Sequence, residues 1–340
     1  MLLRVNHLSV AFENAKGEFL AVNDLSFSLE QGRTLAIVGE SGSGKSVTAM
    51  SILRLLSSQG NIKSGEILFQ EQDGVSPVDL VKLPLKKMEK IRGNQISMIF
   101  QEPMTALNPV LSIRRQLTEP FFIHRGYSKK QAREAALKML DSVRIMGAER
   151  VLKGYPHQLS GGMRQRVMIA MALACQPKIL IADEPTTALD VTVQAQILKL
   201  IKDLQSENQT SVLLITHDLG VVNENADDVA VMYCGQIVER APKSKVFGNG
   251  KYSHPYTEGL LAATPTHKSR GKLDTIEGSV PLPWELPKGC KFAPRCKYRT
   301  EKCMRDEPAL EEVLSGQFVR CHFANKGERK SEEHARFIVR

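Results

Sequence analysis

Residues 39–46 of this chain read Gly39-Glu40-Ser41-Gly42-Ser43-Gly44-Lys45-Ser46, which fits the phosphate-binding pattern G-x-x-x-x-G-K-[ST]. The apolar run 35–38 before it predicts a buried strand, and residues 47–53 after it can continue as a helix. The glycines let the backbone turn tightly and direct its N–H groups inward. A glycine-rich turn without a ligand is the alternative. The flanking context favours a triphosphate site.

The polar groups of this loop suit a triphosphate. Lys45 supplies a mobile positive charge for the β- and γ-phosphates, and the Ser46 hydroxyl can bind Mg²⁺. The N-terminus of the following helix adds positive potential at the phosphates. We therefore predict that ATP contacts the whole loop: Gly39, Glu40, Ser41, Gly42, Ser43, Gly44, Lys45, Ser46 and Val47.

A second strand-like run, residues 178–182, ends in Asp183 and Glu184. The carboxyl ends of parallel strands face the ligand crevice in α/β proteins. Asp183 is therefore predicted to hold Mg²⁺, and Glu184 is predicted to be the general base that polarises the attacking water. Alone, the two acids could equally cap the next helix, so this prediction depends on the phosphate-binding loop.

Two further strand-like runs end in polar side chains. Residues 96–100 precede Gln101, whose amide oxygen can reach Mg²⁺ or the attacking water. Residues 211–216 precede His217, whose imidazole can donate a hydrogen bond to the γ-phosphate. Neither residue is informative by itself, because a lone Gln or His after a strand is more often structural. We predict catalytic roles for both on the strength of the other motifs.

A fourth motif carries a family resemblance. Residues 159–163 resemble the signature motif of ABC-transporter ATPases, and so do the spacing of Gln101, Asp183-Glu184 and His217 and the D-loop position Asp190. The resemblance covers about residues 1–245. Met163 departs from it, because many members carry Gln there. The signature residues are Leu159, Ser160, Gly161, Gly162 and Met163.

The resemblance implies how the signature motif acts. Ser160 can cap a helix that starts at Gly161, and the N-terminus of that helix is a second anion site. In the family this site closes over the ATP of a partner chain, so that two ATPase domains enclose two nucleotides. This chain has one motif set and no internal repeat, which predicts one half of a dimer.

The family also implies the fold and the domain limits. We expect an α/β P-loop ABC ATPase with a RecA-like core, a mostly parallel sheet and an N-terminal antiparallel β subdomain. The ATPase domain is predicted at 1–250, with a helical subdomain at about 105–175. Phe12 lies where members stack an aromatic ring on adenine. The alternative for Phe12 is packing within the N-terminal sheet.

Composition agrees with such a protein. Hydrophobic residues make up 42% of the chain, enough for a proper core, and the net charge is +9. The 46 basic residues are interleaved with 37 acidic ones and form no aromatic-studded stripe, so no nucleic-acid partner is predicted. No 18-residue apolar run and no signal peptide are visible. We expect a cytosolic protein that reaches a membrane through partners.

Four cysteines mark the region after residue 250. Their spacing is C-x₅-C-x₆-C-x₁₇-C, and such a cluster in a cytosolic chain favours a metal site over disulfides. Structural zinc usually uses C-x₂₋₄-C pairs, which are absent, whereas iron–sulfur clusters accept wider spacing. Zinc and free structural thiols remain alternatives. The predicted ligands are Cys290, Cys296, Cys303 and Cys321.

The same region resembles the C-terminal extension of ATPase subunits from dipeptide and oligopeptide importers. His254-Pro255-Tyr256 is typical of it, and the cysteines resemble those of members that carry a [4Fe–4S] cluster. The extension is predicted at 251–324, followed by a charged, frayed tail at 325–340. Basic neighbours (Lys288, Lys291, Arg295, Lys297 and Arg320) are expected to offset the cluster's negative charge.

The resemblance implies the ATP-hydrolysing subunit of a bacterial peptide importer, peripheral on the cytoplasmic face of the inner membrane. It implies a second, related ATPase subunit, two transmembrane permease subunits and, indirectly, a substrate-binding protein. An open alternative is that the same kind of ATPase subunit drives import of nickel or a metal chelate, glutathione or murein peptides. A non-transport ABC ATPase is a further one, although such proteins usually add coiled-coil arms or a second cassette. A degenerate cassette is disfavoured by Glu184 and His217.

Overall fold

The computed structural model describes residues 1–71, 74–102, 106–187, 189–248, 253–264 and 275–324. Its strands are β1 (Leu3–Asn14), β2 (Gly17–Leu29), β3 (Thr34–Val38), β4 (Gly60–Phe69), β5 (Val78–Asp79), β6 (Ile96–Ile99), β7 (Ile179–Asp183), β8 (Ser211–Thr216), β9 (Asp228–Tyr233), β10 (Gln236–Pro242), β11 (Glu311–Leu314) and β12 (Gln317–Val319). Its helices are α1 (Lys45–Ile52), α2 (Leu85–Ile91), α3 (Ile113–Arg125), α4 (Lys129–Ser142), α5 (Ala148–Lys153), α6 (Gly161–Leu173), α7 (Val191–Asn208), α8 (Leu219–Asn225), α9 (Lys243–Val246), α10 (Pro255–Ala262) and α11 (Glu301–Arg305).

The chain forms two compact units, each assembled from separate stretches of sequence. The first unit comprises Met1–Arg4, Ser28–Thr34 and Ile67–Ile215, and the second comprises Val5–Phe27, Leu35–Glu66 and Thr216–Arg340. The domain limits expected from the sequence stay predictions. The tail 325–340 lies outside the described residues. Within the described ranges, no helix has the length and apolarity needed to cross a membrane.

The first unit holds a parallel sheet and a helical segment. Strands β6 and β8 flank β7, and every residue of the three strands is buried, as expected of a parallel sheet covered on both faces. Helices α3 to α6 occupy residues 113–173, within the range predicted for a helical subdomain. A complete capping box at Ser128 and Gln131 fixes the start of α4.

The second unit continues a sheet into the C-terminal extension. Strand β3 pairs in parallel with β9, and β9 and β10 form an antiparallel hairpin. Its turn residues Cys234 and Gly235 have φ of 45° and 81°, as the tight turns of β-hairpins require. The short strands β12 and β11 then add to the β10 edge. The extension is therefore part of the folded core of this unit.

Candidate functional site

The phosphate-binding loop stands in the predicted strand–loop–helix context. All five residues of β3 are buried, and α1 begins at Lys45. Gly39 has φ of 156°, and a Cβ placed on it meets the Met232 carbonyl oxygen at 2.1 Å. Gly44 has φ of 100°, and its Cβ meets the Ala21 oxygen at 2.5 Å. Only glycine fits either position, because the backbone conformation and the space both exclude a side chain.

Backbone and side-chain hydrogen bonds hold the loop in shape. The Gly235 N–H from the β9–β10 turn donates to the Ser43 carbonyl oxygen at 2.9 Å. Lys45 is only 5% exposed, and its Nζ donates to the carbonyl oxygens of Gly39 at 2.8 Å and Glu40 at 2.9 Å. The Lys45 side chain thus lies along the loop in which it is predicted to bind phosphate.

Phe12 is a half-buried residue of β1 in the second unit. Its ring stacks on Phe19 with centroids 6.2 Å apart, and Phe19 meets the edge of Trp284 at 6.5 Å. A Cβ on Gly60 would come within 2.8 Å of the Phe12 ring, so the glycine admits the ring. Packing of this kind is what the structural alternative for Phe12 describes. Adenine stacking stays a prediction.

The first unit brings together two of the predicted catalytic side chains. Gln101 Nε2 donates to a carboxylate oxygen of Glu184 at 3.1 Å, and Thr187 Oγ1 donates to the same oxygen at 2.8 Å. Glu184 has a φ of 44°, which is rare for a residue with a side chain, and its N–H donates to the Ile215 oxygen at 2.8 Å. Strained backbone of this kind concentrates at functional sites. No motif in the sequence pointed to Thr187.

Asp183 is the last residue of β7 and is 3% exposed, at the strand end where a metal-binding carboxylate was predicted. His217 follows β8 in the second unit and is exposed. The residue after it, Asp218, accepts hydrogen bonds from the Gly220 and Val221 N–H groups and caps α8. The capping alternative concerned Asp183 and Glu184, and the next helix after them, α7, is capped by Asp190. Metal and phosphate roles for Asp183 and His217 stay predictions.

The signature residues and the D-loop residue occupy helix starts in the first unit. Ser160 Oγ accepts the Met163 N–H at 3.3 Å and caps α6, and Asp190 Oδ1 accepts the Val193 N–H at 3.0 Å and caps α7. Ser160, Gly161 and Asp190 are exposed. A helix start of this kind presents N–H groups to an anion. Ala188 of the D-loop lies outside the described residues.

Buried polar contacts fix this surface to the sheet. Gln165 on α6 is 2% exposed, and its Nε2 donates to the Pro185 carbonyl oxygen at 2.5 Å. Pro185 directly follows Glu184, so α6 and the turn after β7 are joined by a hydrogen bond. A Cβ on Gly162 would meet Val193 at 3.2 Å, which shows how closely α6 approaches the start of α7.

The chain is 53% identical over 322 residues to the oligopeptide transport ATP-binding protein AppD of Bacillus subtilis, covering 94% of this chain and 96% of AppD. The sequence family described as "ABC transporter" matches residues 22–187.

This chain belongs to the ABC transporter ATP-binding family. It is thus an ATP-hydrolysing cassette, and membership implies dimerisation and partnership with membrane permease subunits. A second family, "Oligopeptide/dipeptide transporter, C-terminal region", matches residues 238–303.

Solved structures agree with the family. A dimeric post-hydrolysis state of the cassette MJ0796, bound to ADP and Pi, has a TM-score of 0.62 and 28% identity, covering 71% of this chain and 99% of that one. CbiO1 from Clostridium perfringens, part of an ABC transporter complex, has a TM-score of 0.60 and 27% identity, covering 73% and 91%. The P-loop ABC ATPase fold is confirmed.

The four cysteines of this ABC ATPase line one cavity of about 40 Å³ in the second unit. The Cys290 N–H donates to the Cys303 carbonyl oxygen at 2.8 Å, and the Tyr298 N–H donates to Cys296 Sγ at 3.4 Å. Yet no three Cys, His, Asp or Glu side chains of the described ranges form a ready metal-binding group. The predicted metal site is therefore not shown, although the thiol donors share a cavity.

Two of the thiols in this cavity, Cys290 and Cys296, are protonated at neutral pH because they are buried. Burial raises the pKa of Cys290 to about 11 and that of Cys296 to about 12. The expected compensation by cations is only partly available, because three of the five basic neighbours already face carboxylates. Lys291 Nζ lies 3.0 Å and Arg320 Nη1 3.8 Å from Glu307, and Arg295 pairs with Glu40.

Proposed function

We propose that this ABC ATPase energises a bacterial importer for dipeptides or oligopeptides. The observation that carries the proposal is the match of residues 238–303 to the C-terminal region of oligopeptide/dipeptide transporters. That match lies outside the ATPase motifs and is therefore independent of them. The name of AppD, which aligns with 94% of this chain, supports the same cargo class.

The chemistry is phosphoryl transfer to water, driven by positioning and by charge. Lys45 and the N–H groups of the loop hold the phosphates. Glu184 takes the proton of the attacking water, and His217 contacts the γ-phosphate. The buried Asp183 places a carboxyl group at the end of β7. The residues proposed to bind Mg²⁺ are Ser46, Gln101 and Asp183.

The signature helix acts on a second ATPase chain. Ser160 and the N–H groups after it close over the nucleotide of a partner cassette, and binding of ATP draws the two chains together. The dimeric ADP-bound cassette MJ0796 supports this arrangement. The partner is a related ATPase subunit, and two permease subunits receive the motion. The complex lies at the cytoplasmic face of the inner membrane and takes peptides from a substrate-binding protein.

Co-purification tests this proposal. The full-length chain is isolated without oxygen from its native membranes, and mass spectrometry identifies the proteins that accompany it. We expect two permease subunits, a second ABC ATPase and a binding protein that takes up dipeptides or oligopeptides. A binding protein specific for nickel, metal chelates or glutathione contradicts the peptide assignment, and isolation without any membrane subunit contradicts import.

We also propose that the cysteine cavity holds a [4Fe–4S] cluster, with zinc as the alternative metal. The donor set supports this, because four thiols line the cavity and an N–H donates to Cys296 Sγ. The ligands are Cys290, Cys296, Cys303 and Cys321. The cluster would supply a structural cross-link through thiolate bonds. Because the thiols of Cys290 and Cys296 are protonated at neutral pH, metal uptake must release protons and weakens as the pH falls.

Anaerobic purification should yield about four iron atoms and four sulfide ions per chain, with a broad visible absorbance. The double variant Cys290→Ser, Cys321→Ser should lose both, and the control Cys175→Ser should keep them, because Cys175 lies buried in the first unit. Retention should fall between pH 8 and pH 6. Stoichiometric zinc without iron contradicts the cluster, and a chain without metal leaves the four residues as structural thiols.

A further inference from the structure

The C-terminal extension makes hydrogen bonds to the second residue of the phosphate-binding loop. Tyr256 Oη accepts the Glu40 N–H at 2.8 Å. Arg295 binds both carboxylate oxygens of Glu40, with Nη1–Oε2 at 2.6 Å and Nη2–Oε1 at 3.0 Å. Glu40 is thus held at its backbone and its side chain by residues 216 and 255 positions away. Paired N–H donors on a carboxylate give a fixed geometry as well as attraction.

The side chains of Arg295 and Tyr256 are themselves held in place by their neighbours. The Arg295 side chain is 4% exposed, and its Nε donates to the Glu277 carbonyl oxygen at 3.0 Å. The hydrogen bonds to Glu40 raise the pKa of Arg295 above its ordinary value. Tyr256 is fully buried, with its ring 4.7 Å from Tyr233 and 5.4 Å from Phe292 between centroids. Because neither side chain is free to move with the loop, the loop must adopt the conformation that the two side chains set.

The phosphate-binding lysine makes hydrogen bonds to this same part of the loop. Lys45 Nζ donates to the carbonyl oxygens of Gly39 and Glu40 at 2.8 Å and 2.9 Å. A shift of Glu40 therefore moves both the peptide that Lys45 contacts and the start of the loop. Rigid supporting contacts of this kind set how well a loop is ordered before its ligand arrives.

Arg295 also belongs to the cysteine segment, defined here as residues 290–296. It ends the 3₁₀ turn Ala293–Arg295, and Cys296 is the next residue. We propose that Arg295 and Tyr256 are positioning residues for the phosphate-binding loop, and that Arg295 couples the conformation of the cysteine segment to nucleotide affinity. The proposal depends on the ATPase activity of the family and is independent of which metal, if any, the thiols bind.

Titration of the full-length chain with a fluorescent ATP analogue and Mg²⁺, together with ATPase assays in native membranes, tests the positioning role. For Arg295→Gln we expect the dissociation constant and KM to rise roughly tenfold, on the scale of losing one charge-assisted hydrogen-bond partner, with kcat within about twofold. Arg295→Lys should rescue part of the loss, because lysine keeps the charge and loses the fork. The matched control Arg305→Gln removes an exposed arginine of the same extension that pairs with the exposed Glu301, and it should leave both constants unchanged.

A second variant keeps the test decisive if Arg295→Gln fails to fold. Tyr256→Phe removes only the hydroxyl that accepts the Glu40 N–H, and KM should rise roughly threefold. Unchanged KM in folded Arg295→Gln or Tyr256→Phe overturns the positioning role. An equal rise in Arg305→Gln overturns it as well, because the effect then follows lost charge alone.

The coupling is tested by combining variants. Cys296→Ser should raise KM in the natural background and add nothing to Arg295→Gln, since both changes act through one contact. Cys175→Ser should leave KM unchanged. If Cys296→Ser has no effect, or if its effect adds fully to that of Arg295→Gln, the coupling is wrong while the ATPase function stands.

Discussion

Replacing Glu184 by Gln should leave MgATP binding intact and lower the hydrolysis rate by roughly 10²–10⁴-fold, the usual contribution of a general base. The amide has nearly the same shape as the carboxylate but cannot take a proton from water. In the natural protein one carboxylate oxygen accepts hydrogen bonds from Gln101 and Thr187. The amide oxygen of the variant can accept the same two hydrogen bonds, so the local structure should persist. Turnover and nucleotide affinity are measured separately on the same preparation.

Glu149→Gln is the matched control for this variant. Glu149 is an exposed residue of the first unit that pairs with Arg133 at 2.5 Å, and exposed pairs contribute little. We expect its ATPase rate to equal that of the natural protein. Hydrolysis by Glu184→Gln within tenfold of the natural rate shows that another group is the base. Loss of ATP binding in Glu184→Gln shows that the residue has a structural role instead.

Gly161→Asp should abolish turnover while the single chain still folds and binds MgATP. A negative charge in the first turn of α6 complements the helix dipole and favours the helix by about 0.3–1 kcal/mol. The same charge repels the phosphates that the partner cassette would bring to this helix start. We expect at least a roughly 100-fold loss of ATPase activity, comparable to losing a preorganised donor to a developing anion.

Gly161→Ala separates charge from bulk. A Cβ at this position meets Leu189 Cδ2 at 4.0 Å, which is ordinary contact, so alanine adds size without a clash. We expect nearly natural activity from the alanine variant. If Gly161→Asp also loses nucleotide binding by the isolated chain, the signature helix acts on its own nucleotide. If it keeps full activity, the helix start is not a phosphate site.

Local sequence patterns predicted the loop, the strand ends and the cap of α6. The phosphate-binding pattern requires a strand before it and a helix after it, and both neighbours lie within about ten residues. Ser160 and Asp190 each accept an N–H three residues on, which is a contact that a short window can anticipate. Asp183 could be placed because its strand is short, apolar and fully buried.

Contacts distant in sequence could not be predicted in this way. Gln101 and Glu184 are 83 residues apart, and Glu40 and Arg295 are 255 apart, so no window contains either pair. Arg295 was expected to offset thiolate charge, and it instead binds Glu40. Strands β11 and β12 have four and three residues, too few to show a periodicity. Their role as an edge of the core sheet is set by pairing with β10.

The central claim is that this cassette completes an ATP site only with a second ATPase chain. The direct measurement is the mass in solution of full-length Glu184→Gln, alone and mixed with the ATPase that co-purifies from native membranes, by analytical ultracentrifugation with and without MgATP. We predict a shift from one chain to two that requires MgATP and is lost in Gly161→Asp. A mass that stays at one chain under every condition, with nucleotide demonstrably bound, contradicts the account.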